Sequence, residues 1–148
     1  MNTAGAADEL ANELDRVLVL EMVRVTEKAA IAAQVEQFAA LDAPCIVYAE
    51  CSNTIQGDRG TPVSRRPRLS RDEVTAYAKK LSELAKWTRD QGVVLSYHHH
   101  MGAMVQDACD IDWLMAGSDP ALTLLYDTGH LHFAGADPLA VLDRWGDR

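Results

Sequence analysis

The apolar residues of this chain alternate between short continuous runs and stripes at helical spacing. Three runs, Cys45–Glu50, Val93–Tyr97 and Leu122–Asp127, have the length and composition of buried strands, two of them closed by an acid. Between the runs, apolar residues recur every three or four positions, which predicts amphipathic helices. Strands and helices that alternate in this way, with near-continuous apolar strands, indicate parallel βαβ units in an α/β fold.

The predicted helices have recognisable ends. Ser70 and Glu73 form a capping box, and Gly92 ends the helix that the box begins. Asp137 caps the last helix and Pro138 occupies its first position. The predicted apolar stripes consist of Ile31, Val35, Phe38 and Leu41; of Val74, Tyr77, Leu81, Leu84 and Trp87; of Ile111, Leu114 and Met115; and of Leu139, Val141 and Leu142.

The domain organisation follows from these elements. Residues 1–27 form a poorly defined N-terminal segment, in which Val17–Val25 fits a strand or part of a helix, and residues 28–148 form the domain. A closed (β/α)8 barrel needs about 250 residues, and the chain has 148. The three strands therefore predict either a small open sheet or a part of a barrel, whose open strand edges a partner would have to cover.

Charge and composition narrow the possible partners and compartments. A net charge of −8 and a pI near 5.0 argue against nucleic acid and anionic membranes as partners. Cys45, Cys51 and Cys109 fit no Cys-x-x-Cys spacing, so we expect reduced thiols in a cytoplasmic protein. No apolar run approaches the roughly 18 residues of a membrane span. Residues 1–8 lack the basic region of a secretory signal.

Three consecutive histidines follow the second predicted strand. Strand side chains alternate between faces, so His98 and His100 should share one side and His99 should take the other. Neutral imidazole is a common metal ligand and is suited to proton transfer near neutral pH. The alternative interpretations of the three histidines are a tag-like tract and a solvated polar loop. We interpret the tract as part of a functional site.

The ends of the three strands carry polar groups that suit a metal site. Glu50, His98 and Asp127 stand at the strand ends, and His130 follows closely. In parallel α/β folds, chemistry gathers at the carboxyl ends of the strands. Mixed carboxylate and imidazole ligands suit Mn²⁺, Co²⁺, Fe²⁺ or Zn²⁺. A single acid at a strand end is more often a helix cap or an ion-pair partner, but three such ends together favour a shared ion.

A long connection without periodicity, Cys51–Leu69, separates the first strand from the capped helix. Its length is unusual for a simple linker and is typical of a binding loop or a lid. It contains the basic pair Arg65 and Arg66, although exposed loop arginines are more often merely solvated.

Nine short motifs follow one another along the chain. They are Tyr48–Glu50, Ile55–Arg59, Thr61–Pro62, Ser64–Pro67, Leu69–Ser70, Tyr97–Gly102, Val105–Gln106, Leu125–His130 and Phe133–Pro138. In their order and approximate spacing they resemble the inosose dehydratases of myo-inositol catabolism, which belong to the xylose-isomerase-like TIM barrels together with sugar isomerases, epimerases and apurinic-site endonucleases. The resemblance begins near residue 30, and the first 28 residues do not match the opening strands of the family. The chain stops before the strands that carry the family's remaining His and Glu ligands, so roughly the middle half of the enzyme is expected.

The resemblance implies a partial (β/α)8 TIM barrel and a metal-assisted lyase. The implied reaction removes water from 2-keto-myo-inositol and leaves a trihydroxycyclohexanedione, with Mn²⁺ or Co²⁺ as cofactor. Asp127 matches a metal ligand of the wider superfamily, and His130 matches a histidine near substrate or metal. His98 stands where many relatives carry a Glu ligand, which leaves open whether His98, His99 or His100 takes that role.

Dehydration beside a ketone needs a base for the α-proton, an electrophile for the carbonyl oxygen and an acid for the departing hydroxide. We expect Asp127 and His98 to be metal ligands, and the segment 56–66 to cover the polyol. The remaining assignments are His98, His100, Glu50 and His130 as catalytic residues, and Arg59, Arg65, His99 and Gln106 as substrate-binding residues.

Two other functions fit the same residues. One is a sugar isomerase or epimerase on the same barrel, which acts without forming a dione. The other is a truncated, catalytically silent module that persists by self-association, so a homo-oligomer is also expected.

Overall fold

The computed structural model describes residues 28–50 and 53–148. The predicted element at Val17–Val25 and Cys51 lie outside the described residues. Within them, helices alternate with strands as far as the third strand, which two helices follow, and a single turn of 3-10 helix, Val63–Arg65, interrupts the long connection. The elements are α1 Lys28–Ala40, β1 Cys45–Tyr48, α2 Arg71–Asp90, β2 Val94–His98, α3 Ala108–Gly117, β3 Leu122–Leu125, α4 Thr128–Phe133 and α5 Pro138–Trp145.

The three strands form one parallel sheet in the order β1-β2-β3. Tyr48 of β1 is in register with Tyr97 of β2, and His98 of β2 is in register with Leu125 of β3. The predicted α/β fold with parallel βαβ units is confirmed. Because the strands are parallel, their carboxyl ends lie at one edge of the sheet.

Helix α2 packs against β2, β3 and α3 and covers one face of the sheet. The predicted capping box is present, since the Ser70 hydroxyl accepts from the Glu73 amide at 3.4 Å and a Glu73 carboxylate oxygen accepts from the Ser70 amide at 2.8 Å. Val74, Ala78 and Leu81 face the sheet and are buried, as a 3.6-residue period requires.

The predicted stripes are wrong at some of their ends. Leu41 is 55% exposed because α1 ends one residue before it, and Trp87 is 38% exposed near the end of α2. In the last helix only Val141 is buried, whereas Leu139 and Leu142 are exposed. The spacing of apolar residues therefore does not by itself decide which of them pack against another element.

Two strands are shorter than predicted. β1 ends at Tyr48 and β3 ends at Leu125, two residues before Glu50 and Asp127. After β3 the chain turns at once into α4, a helix that the apolar pattern did not predict, with Asp127 as its N-cap. Asp127 accepts the amide of His130 and Glu50 accepts from tyrosine hydroxyls, and both residues lie beyond the strand ends.

The cysteines and the helix lengths can be compared with the expectations of reduced thiols and no membrane span. Cys45 and Cys109 carry free thiols. No helix formed by the described residues has the length and apolarity needed to cross a bilayer.

Candidate metal centre

Three side chains at the carboxyl edge of the sheet offer ligand atoms that all lie within 4.8 Å of one another. They belong to His98, Asp127 and His130. His98 is the last residue of β2, and Asp127 and His130 stand on either side of the start of α4. The sheet and the short helix after β3 therefore bring together three residues that are up to 32 positions apart in the sequence.

The two carboxylate oxygens of Asp127 make different contacts. Oδ1 accepts the backbone N–H of His130 at 2.9 Å, which is the N-cap bond of α4. Oδ2 lies 3.2 Å from Nε2 of His98 and 3.6 Å from Nε2 of His130. One oxygen thus fixes the orientation of the carboxylate while the other lies beside both imidazoles.

The environment favours the ligand forms of all three groups. Burial lowers the pKa of His98 and of His130, although Asp127 opposes this shift. For Asp127, burial acts to raise the pKa, but the hydrogen bond from the His130 amide and the two imidazoles outweigh it, so the pKa is lowered. Neutral imidazole and ionised carboxylate are the forms that bind a metal.

The donor set fits a divalent transition ion. Two imidazole nitrogens and one carboxylate oxygen suit Mn²⁺, Fe²⁺, Co²⁺ or Zn²⁺, and the side chains are 15–30% exposed. Three protein ligands leave further coordination positions for water or substrate, as catalytic metal sites do.

The other two histidines of the tract lie against this group. The ring of His100 lies 4.1 Å from that of His130 and 5.6 Å from that of His98, centroid to centroid. His99 is fully buried, and neither of its ring nitrogens has a hydrogen-bond partner among the described residues. Burial, followed by the proximity of His98, lowers the pKa of His99 to about 4. His100 is thus part of the cluster, and His99 is enclosed behind it.

The structure does not bring Glu50 into this group. A Glu50 carboxylate oxygen accepts from the Tyr48 hydroxyl at 3.2 Å and from the Tyr77 hydroxyl at 3.4 Å. Tyr77 belongs to α2, and the ring of Tyr97 packs against it. Side chains alternate along β2, so this helix-covered side is opposite to the one that His98 faces. The catalytic role of Glu50 stays a prediction.

The predicted substrate-binding residues are dispersed. Arg59 and Arg65 are exposed on the loop between β1 and α2. Gln106 is buried, and its Oε1 accepts the backbone N–H of Gly102 at 2.8 Å. Their roles, like that of His99, stay predictions.

Arg66 is a residue whose environment the sequence does not predict. The sequence shows it only as one of a basic pair, but it is 4% exposed and forms ion pairs with Asp107 and Asp110. The spacing of Asp107 and Asp110 is that of the capping box at the start of α3, and this was the available local signal. Nothing local connects that box to an arginine about forty residues earlier.

Comparison with known proteins gives relatives over part of the chain. No protein-family model matches. A protein named inosose dehydratase from Clostridium tetani (strain Massachusetts / E88) is 43% identical over 105 residues, which are 70% of this chain and 35% of that protein. The rhizopine catabolism protein MocC from Rhizobium meliloti is 40% identical over 108 residues, which are 73% of this chain and 33% of that protein.

Among solved structures, the probable 3-DHS dehydratase AsbF from Bacillus anthracis, involved in petrobactin synthesis, matches with a TM-score of 0.63. The match covers 87% of this chain and 45% of that one, at 14% identity, and therefore concerns the fold alone. The chain spans about a third of the length of the curated relatives it matches. Over that segment, the resemblance to inosose dehydratases that the motifs predicted is confirmed.

Proposed function

We propose that this chain forms part of an inosose dehydratase-like hydro-lyase that removes water from 2-keto-myo-inositol and yields a trihydroxycyclohexanedione. The observation that carries the proposal is the convergence of His98, Asp127 and His130 in a chain that is 43% identical, over 105 residues, to a protein named inosose dehydratase. The three parallel strands, and the share of the Clostridium tetani protein and of the AsbF structure that the chain covers, support a piece of a xylose-isomerase-like (β/α)8 barrel.

The residues suggest a division of roles. His98, Asp127 and His130 would hold Mn²⁺ or Co²⁺, which supplies a Lewis acid for the carbonyl oxygen when bound. Asp127 keeps its orientation through the N-cap bond to the His130 amide. His100 lies beside His130 and does not belong to the ligand group, so we assign it to take the proton from the carbon next to the ketone and to return that proton to the departing hydroxide, which leaves as water. The loop with Arg59 and Arg65 would contact the polyol hydroxyls.

The proposal is tested with the purified chain, 2-keto-myo-inositol, and Mn²⁺ or Co²⁺. Formation of the dione gives a new ultraviolet absorbance, which we expect for the native chain and not for Asp127→Asn. Asp137→Asn is the matched control, because Asp137 caps α5 through its carboxylate in the same way and does not belong to the ligand group. Absence of the dione with the native chain at saturating metal would show that this part is not active alone, and equal dione formation by Asp127→Asn and the native chain would refute the proposed role of Asp127.

The same experiment separates the alternatives. Turnover of a sugar panel without new ultraviolet absorbance would indicate the isomerase or epimerase. A large oligomer without bound metal would indicate the silent module. We also propose a cytoplasmic location, which the free thiols of Cys45 and Cys109 support. Self-association stays a prediction, tested by sedimentation.

A further inference from the structure

Arg66 is a buried cation with partners on two sides. Its Nη2 donates to Oδ2 of Asp110 at 2.6 Å and to Oδ2 of Asp107 at 2.9 Å. Its Nη1 donates to the carbonyl oxygens of Met104 at 3.1 Å and of Ala103 at 3.2 Å. The side chain is 1% exposed. A planar guanidinium can satisfy carboxylates and carbonyls in different directions at once, which a single ammonium group cannot do.

The carboxylates that hold Arg66 also hold the backbone of the turn after β2. Oδ2 of Asp110 accepts the amides of Gln106 at 3.0 Å and of Asp107 at 3.2 Å. Oδ1 of Asp107 in turn accepts the amide of Asp110 at 3.1 Å. Arg66 therefore joins the loop after β1 to both the start of α3 and the turn that precedes it.

This turn also forms hydrogen bonds with the backbone of His100. The His100 amide donates to the carbonyl of Val105 at 3.2 Å, and its carbonyl accepts the amide of Ala103 at 3.2 Å. The ring of His100 then packs 4.1 Å from the ring of His130. A continuous series of contacts thus runs from Arg66 through the carbonyl of Ala103 and the backbone of His100 to the candidate metal centre.

A second attachment joins the same loop to the same turn. The amide of Ile55 and the hydroxyl of Thr54 both donate to the carbonyl of Gly102, at 3.0 Å and 3.2 Å. Gly102 has φ +79°, and a Cβ at this position would lie 3.3 Å from Cγ1 of Ile55. The loop after β1 is therefore fixed to the turn near both of its ends.

We propose that Arg66 is a positioning residue of the candidate site: its guanidinium fixes the turn at residues 100–107 and thereby holds the ring of His100 against that of His130. The effect of Arg66 on the rate of dehydration rests on the proposed function, whereas its effect on the contact between the two histidine rings does not. His98 belongs to β2, Asp127 caps α4 and His130 belongs to α4. Among the described residues, Arg66 forms no hydrogen bond with either element. Arg66 should therefore affect His100 without affecting metal affinity.

The test compares Arg66→Lys with Arg148→Lys. Arg148 is a matched control because it also donates to several backbone oxygens, those of Met115, Asp119 and Leu122, but at the opposite end of α3. Histidine ring resonances are assigned in the purified chain with labelled histidine, and the nuclear Overhauser contact between the rings of His100 and His130 is recorded. Co²⁺ affinity and the unfolding transition are measured on the same samples.

We expect Arg66→Lys to lose the ring contact and keep its Co²⁺ affinity, and Arg148→Lys to keep both. Where dehydration is observed, kcat should fall about ten- to hundredfold in Arg66→Lys, which is the order expected for a displaced catalytic group. If the native chain forms no dione but Arg66→Lys still loses the ring contact, the proposed function is rejected and the positioning role of Arg66 is retained.

If Arg66→Lys does not fold, the double variant Arg66→Met with Asp110→Asn removes the buried charges together and takes its place. A retained ring contact in either folded variant overturns the proposal. So does an equal loss of the contact in Arg148→Lys. Failure of both Arg66 variants to fold also overturns it, because Arg66 would then serve overall stability and not the position of one ring.

Discussion

Asp127 has two functions on separate oxygens, and two substitutions should separate them. Oδ1 caps α4 through the His130 amide, and Oδ2 lies beside the imidazoles of His98 and His130. Asn is as good an N-cap as Asp, whereas Ala costs about 1 kcal/mol at such a position. Asp127→Asn should therefore remove only the anionic ligand, and Asp127→Ala should remove both the ligand and the cap.

The magnitudes follow from linkage between binding and folding. A metal at one hundred times its Kd stabilises the native chain by about 2.7 kcal/mol. If loss of the carboxylate raises the Kd for the metal about a hundredfold, the stabilisation by metal at the same metal concentration falls to about 0.4 kcal/mol. In the presence of a chelator we expect Asp127→Ala, but not Asp127→Asn, to lose about 1 kcal/mol relative to the native chain.

Urea unfolding followed by tryptophan fluorescence, with Co²⁺ and then with a chelator, measures both effects. Full metal-dependent stabilisation of Asp127→Asn would refute the assignment of Asp127 as a ligand. Equal stability of the two variants in chelator would refute its role as a cap.

Three further predictions concern the stability of the fold. Burial lowers the pKa of His99 to about 4, so between about pH 6.5 and 4 the unfolded chain binds a proton that the folded chain does not. The free energy of unfolding should therefore fall by about 3 kcal/mol over this range. Urea unfolding should show a weaker pH dependence in His99→Phe. Ser70→Ala removes the capping-box acceptor for the Glu73 amide and should cost about 1 kcal/mol, measured by thermal unfolding. Gly102→Ala places a Cβ 3.3 Å from a neighbouring side chain at φ +79°, whereas the Cβ of Gly92→Ala at φ +86° meets nothing within 4 Å. Both variants should lose roughly 1–2 kcal/mol of stability to backbone strain. Equal losses would show that the contact at Gly102 costs nothing.

Much of the fold could be predicted from the sequence because its signals are local. The capping box at Ser70 and the proline start of the last helix depend only on neighbouring residues. The approach of Asp127 to His98 was also predictable, since parallel strands end at one edge and each residue stands at or just beyond a strand end. The metal-ligand roles of these residues remain for the experiments above.

The sequence by itself thus determined the alternation of helices and strands as far as β3, the parallel sheet, and the edge of the sheet at which His98, Asp127 and His130 lie. Only the tertiary structure decided that Glu50 lies with the tyrosines beside α2 and that Arg66 is buried while Arg65 is exposed. The physical reason is distance along the chain. The carboxylate partners of Arg66 are 41 and 44 residues away, and only the packing of the loop after β1 onto the turn after β2 brings them within hydrogen-bond reach.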